Sequence, residues 1–245
     1  DEMVTETAKK AKYQNKSMGK SISQKDMLRK YYFSETEIKK LYNYCKKVGI
    51  KFLSSIFDEQ SLERYVKLKP DYIKLPSPEI NNIFLLRKIK KIKNKIPIIF
   101  STGMSSEKDI LEVYKILGKN FSLIPMYCVS SYPALLSEID LKKFINMKKK
   151  YKIIGLSDHT NSLETSIICT YLKVNIIERH LTLDNKQIGP DHSSSLNPHD
   201  FKEFIMSVRN TEVLISKNVK NKNEIKNRKF VRKILVARNA IKKGE

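Results

Sequence analysis

The 245-residue chain reads as a parallel α/β fold assembled from repeated β-α units. Three observations predict it. Short runs rich in Ile, Leu, Val, Phe and Tyr recur along the chain, each bounded by turn residues. The runs are apolar almost without alternation, as strands buried on both faces are. Amphipathic stretches lie between them, which is the rhythm of a parallel sheet with helical crossovers.

The expected strands are 51–57 (KFLSSIF), 71–76 (DYIKLP), 97–102 (PIIFST), 122–128 (SLIPMYC), 152–158 (KIIGLSD) and 174–181 (VNIIERHL). Ser34 followed by Glu37 has the spacing of a capping box and opens a helix. Between Ser106 and Gly118, Ile110, Val113, Ile116 and Leu117 recur close to helical spacing. Gly49 and Gly118 stand where helices would end. Residues 197–216 read as a final long helix. Residues 1–30 are polar without clear periodicity. A (β/α)₈ barrel needs eight strands, and six are visible. The chain is therefore either an open doubly wound sheet or a barrel without its first two units. The predicted organisation is a barrel domain over 1–216 and a linker over 217–245, rich in Lys and Asn and then apolar at Ile234, Leu235 and Val236.

Composition excludes several classes. No apolar run approaches the ~20 residues of a membrane span, and Asp1 opens a polar stretch, not a secretory signal. A cytoplasmic location without membrane contact is expected. Cys45, Cys128 and Cys169 are too few and too scattered for a disulfide framework or a zinc site, and read as buried free thiols. The net charge of +22 is mainly lysine spread over almost every helix, with no aromatic-interleaved basic motif. A nucleic-acid partner is not expected, but the charge should attract anionic substrates.

The polar residues cluster at strand ends: Lys74, Ser77 and Glu79; Ser101 and Thr102; Ser130, Ser131 and Tyr132; Ser157, Asp158, His159 and Thr160; Glu178, Arg179 and His180. In parallel α/β folds these ends meet at one ligand-binding mouth. Lys74, Ser77, Ser101 and Ser157 offer the cationic and hydroxyl donors that a phosphate needs. His159 and His180 end consecutive strands, about 4.8 Å apart in a sheet, and could share one metal ion. Glu79, Glu178 and Asp191 are candidate acids or bases, although Glu178 could instead pair with Arg179. Gly189-Pro190-Asp191-His192 reads as a rigid turn carrying two further potential ligands, with a plain surface loop as the alternative.

The segments YIKLPSPEINN (72–82), IIFSTGM (98–104), YCVSSYP (127–133), GLSDHT (155–160), IIERHLTLD (176–184) and GPDHSSSLNP (189–198) together resemble the sialic acid synthase family, which includes N-acetylneuraminate, legionaminate and pseudaminate synthases. The resemblance implies a TIM (β/α)₈ barrel followed by an antifreeze-like (SAF) domain, in a swapped homodimer. DEM at 1–3 resembles the loop after the family's second strand, and IKKGE at 241–245 resembles the start of the antifreeze-like domain. A barrel truncated by its first two β/α units and lacking that last domain is thus expected. The resemblance also implies a divalent metal, typically Mn²⁺, on His159 and His180. It implies phosphoenolpyruvate contacts from Ser55, Lys74, Ser77, Ser101 and Ser157. Tyr132 falls on the sugar side, and Glu79, Glu178 and Asp191 near sugar or metal. Ser130 stands for a frequent Asn or Thr, Tyr127 for a usual His, and Ile56 for a usual Pro. The activity implied is condensation of phosphoenolpyruvate with N-acetylmannosamine to a nine-carbon 2-keto sugar acid. The alternatives are a legionaminate or pseudaminate synthase acting on a 2,4-diacetamido hexose, or an inactive fragment of such an enzyme. The pathway implied is carbohydrate biosynthesis for cell-surface polysaccharide.

Overall fold

The computed structural model describes residues 4–5, 7–18, 22–216 and 221–245. Asp1, Glu2 and Met3, the DEM of the family resemblance, lie outside the described residues. So do 217–220, just past the predicted domain boundary.

Five strands form one parallel sheet: β1 (Ile73–Leu75), β2 (Ile98–Ser101), β3 (Leu123–Cys128), β4 (Gly155–Asp158) and β5 (Ile176–Arg179). Their order in the sheet is their order in the chain. A doubly wound sheet reverses order at a switch point; this sheet does not. It is also strongly curled. Lys74 on β1 reaches Glu178 on β5 at 3.0 Å. Four spacings of about 4.8 Å would hold edge strands about 19 Å apart in a flat sheet, and the two side chains, built of ~1.5 Å bonds, span only about half of that.

The alternation along each strand sorts the residues. Outward-facing Ile73, Leu75, Ile98 and Phe100 pack against three helices, α4 (Glu59–Lys67), α5 (Ile83–Lys90) and α6 (Glu107–Leu117). Tyr127 and Leu156 do the same against α7 (Leu141–Lys150) and α8 (Glu164–Tyr171). Each fully buried Leu, Ile or Phe there contributes about 1.5–3 kcal/mol by leaving water. The inner face carries a small apolar layer of Ile99, Ile124 and Met126. Level with this layer at Lys74, and one step further toward the strand ends at Ser101, Ser157 and Glu178, the face turns polar.

The predicted helix starts are present. Ser34 and Glu37 form the capping box of α3 (Glu35–Val48), and Gly49 closes it in the left-handed region at φ 76°. Ser106 caps α6 through Asp109. Gly118 follows α6 but keeps a right-handed φ of −59°. The long helix α9 runs Pro198–Ser216.

One expectation is corrected. The stretch 51–57 is not a strand: it meets β1 through one bridge, Ser55 to Lys74, with Ile56 N–H donating to Lys74 O at 3.0 Å. Hydrogen bonding on one side for one residue does not sustain a ladder. The N-terminal region holds two short helices, α1 (Lys12–Met18) and α2 (Gln24–Lys30). Each buries one methionine, Met18 and Met27, too little to write a periodic stripe. The predicted linker contains α10 (Lys222–Val231), capped by Asn221 and exposed throughout. No helix among the described residues is long and apolar enough to cross a membrane.

Candidate active site

The polar layer of the inner face is a connected network. The Lys74 ammonium, buried beneath the mouth, donates to Ser101 Oγ at 2.9 Å and to Glu178 Oε1 at 3.1 Å, and pairs with Glu178 Oε2 at 3.0 Å. Ser157 Oγ donates to the same carboxylate at 2.8 Å. Burial pushes the Glu178 carboxyl up, but Lys74 beside it and the bonds from Ser157 and Lys74 outweigh this and hold it below the usual range. The expected alternative, a Glu178–Arg179 pair, does not occur. Adjacent strand residues face opposite ways, so Arg179 points outward and pairs with Asp158 instead.

Above this layer stand the two histidines, ring centroids 5.2 Å apart. His159 Nδ1 lies 2.7 Å from the Val129 carbonyl. A carbonyl only accepts, so Nδ1 carries the proton and Nε2 keeps its lone pair. Nε2 faces Ser157 Oγ at 3.3 Å, but that hydroxyl's one proton is committed to Glu178. Burial pushes the His159 pKa down to about 4, and neighbouring His180 adds to the effect. His159 is therefore a neutral imidazole with an open lone pair, the form that binds a metal.

His180 Nδ1 is 3.9 Å from Asp191 Oδ2. Asp191 Oδ1 is buried with no hydrogen-bond partner, and burial raises this carboxyl against the pull of His180 and His192. Two open acceptors beside a second imidazole are the donor types a divalent cation takes, and His159, His180 and Asp191 are the residues that could hold one. The set is open in geometry. Among the described residues, three ligand atoms within 4.8 Å of one another occur only at exposed His199, Asp200 and Glu203 on α9.

The other expected residues divide. Ser77 Oγ accepts from Gly103 N–H at 3.0 Å and lies 3.8 Å from Cys128 Sγ. Ser130 also lies against Gly103. Tyr132 stacks near His159 at 4.3 Å and His180 at 5.6 Å. Two residues stand apart. Glu79 accepts from Asn82, the cap of α5, at 2.8 Å, and Ser55 is exposed beside the Lys74 backbone. His192 bonds Thr182 Oγ1 at 2.7 Å and so holds the loop that presents Asp191. Tyr127 faces the outer core and its hydroxyl accepts from Asp140 N–H at 2.7 Å.

Sequence reasoning missed three neighbours. Tyr13 on α1 reaches over the mouth to Tyr132, 5.0 Å between centroids, and burial with nearby Asp191 raises its pKa to about 12. Nothing in its aperiodic segment signals this. Cys128 sits among Ser77, His159 and Lys74, and burial pushes its thiol up, away from the thiolate a nucleophile needs. Gly103 packs beside two site serines. A Cβ there would lie 2.2 Å from Ser130 Oγ and 2.9 Å from Ser77 Oγ. Gly103→Ala is expected to cost about 1–3 kcal/mol through overpacking and to raise the KM for an anionic substrate about tenfold; unchanged thermal unfolding and KM would remove these serines from the site.

The metal-free protein should also be acid-sensitive. His159 is at about 4 folded against 6.5 ordinarily, so the unfolded chain binds the extra proton between those values. Stability then rises with pH across about 4–6.5, by up to about 3 kcal/mol. Unfolding midpoints taken in chelator should fall on acidification through that window, and His159→Gln should flatten the slope; an equal slope in the variant would assign it elsewhere.

The chain is similar to known proteins. The NeuB family matches residues 1–220. N,N'-diacetyllegionaminic acid synthase of Campylobacter jejuni is 37% identical, over 99% of this chain and 74% of its own length. The enzyme of that name from Legionella pneumophila is 31% identical, over 100% and 70%. In fold, the chain superposes on the N-acetylneuraminic acid synthetase of Leptospira borgpetersenii with a TM-score of 0.76 at 24% identity, covering 91% of this chain and 80% of the other. With the family model matching residues 1–220, the chain belongs to the NeuB family.

Proposed function

We propose that this chain performs the carbon-carbon bond-forming step of a sugar acid synthase, joining phosphoenolpyruvate to an N-acetylated amino sugar. The observation that carries the reading is the hydrogen-bonded Lys74–Ser101–Ser157–Glu178 layer beneath His159 and His180.

In this reading the methylene carbon of phosphoenolpyruvate bonds to the sugar's aldehyde carbon. Water adds at the neighbouring carbon, and phosphate leaves with C–O cleavage. Lys74 binds the substrate's anionic groups, with Ser77, Ser101 and Ser157 donating hydroxyl hydrogen bonds. Holding both reactants together lowers the entropic barrier. Glu178 is the acceptor that Lys74 and Ser157 exchange for substrate oxygens, and so stands ready to orient water. Tyr132 and Tyr13 wall the sugar side. A divalent cation on His159, His180 and Asp191, manganese by the resemblance, supplies Lewis-acid polarisation of the aldehyde when bound. The reading includes a cytoplasmic homodimer, with no nucleic-acid or membrane partner.

N-Acetylmannosamine is the first acceptor to test. Similarity to two N,N'-diacetyllegionaminic acid synthases supports a second, a 2,4-diacetamido hexose. Inorganic phosphate release from phosphoenolpyruvate with Mn²⁺ and each sugar in turn is expected to depend on one of them. Release with neither would leave the chain a non-catalytic member of its family and sink the proposal.

A further inference from the structure

On the outer face of the sheet, behind the histidines, lies an ion pair that the reaction does not use. Asp158 and Arg179 are direct partners in the β4–β5 ladder and its last pair. Their side chains are almost wholly buried, with 0% and 2% exposed, and meet at 2.5 Å. Asp158 Oδ1 accepts from Thr160 N–H at 2.9 Å and Thr160 Oγ1 at 2.8 Å, and Oδ2 accepts from Ser166 Oγ on α8 at 2.5 Å. Arg179 donates to the carbonyls of Ser162 at 3.0 Å and Thr160 at 2.8 Å. Its guanidinium lies 5.5 Å from the Phe204 ring of α9.

Burying an ion pair returns little net stability, because desolvation offsets the attraction. Its position accounts for it better. His159 and His180 are the next residues after Asp158 and Arg179, beyond the end of the ladder. Among the described residues no hydrogen bond fixes the His180 ring: Asp191 is 3.9 Å away, and the rings of Tyr132 and His159 flank it at 5.6 and 5.2 Å between centroids. We propose that Asp158 and Arg179 are positioning residues, a brace that ties the ends of β4 and β5 from behind and so sets the separation and aim of the two imidazoles. The inference rests on the reading of His159 and His180 as the metal pair.

Arg179→Lys tests it. A lysine keeps the charge, but its point-like ammonium cannot serve Asp158 and two carbonyls in the guanidinium's fixed geometry. The Mn²⁺ dissociation constant, read by electron paramagnetic resonance of free Mn²⁺, is expected to rise about 10–100-fold, as outer-shell changes do at metal sites. The imidazole NMR signals of His159 and His180 in metal-free protein should move, while those of exposed His199 stay. Ser166→Ala, which deletes one bond to Asp158 and leaves the pair, is the gentler variant and replaces Arg179→Lys if that chain does not fold; its expected rise is about three- to tenfold, set against the same scale. A merely structural pair would lower the unfolding midpoint and leave affinity and histidine signals as they are in any variant that folds, and that result overturns the brace. If the wild-type chain binds no Mn²⁺, the metal reading fails and the NMR shifts alone decide the brace: moved signals uphold it, unmoved signals overturn it.

Discussion

Replacing Lys74 with methionine is expected to lower kcat/KM for phosphoenolpyruvate by about 10³-fold, or ~4 kcal/mol of transition-state stabilisation. Among the described residues, Lys74 is the single lysine or arginine on the inner face of a strand. It enters that layer with a buried stem and its ammonium on Ser101 and Glu178. Methionine keeps the stem's volume and packing, so the inner face should survive. What goes is the one fixed cation that can meet a phosphate or carboxylate there. The stability effect should be small. Glu178 is 38% exposed, so water screens much of its attraction to Lys74, and about 1 kcal/mol or less is expected.

The pH dependence follows by sign. Lys74 and the hydrogen bonds hold the folded Glu178 carboxyl below its ordinary value, so this contribution is full above the ordinary carboxylate range. It is lost as pH falls through the depressed folded value. The Lys74→Met chain should lack that acid-side loss. Steady-state kinetics with phosphoenolpyruvate varied provide the check: an unaltered KM and kcat would mean that the anion binds elsewhere.

His180→Ala is expected to reduce metal-dependent turnover by more than about 10³-fold, the scale on which electrostatic stabilisers act, while the fold persists. His180 suits this test better than His159. The His159 ring is buried, bonded to Val129 and packed on Tyr132, so its removal opens a cavity. The His180 side chain is 29% exposed and meets Asp191 only at 3.9 Å. Circular dichroism and the unfolding midpoint should match the parent chain while phosphate release disappears. Turnover that still rises with Mn²⁺ in this variant would take His180 out of the ligand set.

Much of this architecture is legible in the chain itself. The apolar runs 97–102, 122–128, 152–158 and 174–181 each contain a strand of the sheet, because a strand covered on both faces must be apolar wherever chemistry does not forbid it. The exceptions mark the site. Lys74, Ser157 and Glu178 interrupt such runs, and all three lie in one hydrogen-bonded layer. Capping boxes at Ser34 and Ser106 act within four residues, so local sequence suffices for them. The segment 51–57 misleads because its apolar composition fits a strand, whereas pairing depends on a neighbour that composition does not describe. Tyr13 and Gly103 matter through what faces them in space, from Tyr132 to Ser77 and Ser130.

By itself the sequence determined the parallel α/β class of fold, the polar residues at the strand ends with two histidines among them, and the family. These follow from periodicity, strand-end placement and motif order, which are properties of short segments. Tertiary structure alone decided who pairs with whom. Glu178 and Arg179 are neighbours in the chain, yet the pleat sends one inward to Lys74, 104 residues away, and the other outward to Asp158. The curl of the sheet brings β1 to β5 and turns a list of polar strand ends into one site. The physical reason is that burial leaves each charge only the partners its own face of the sheet provides.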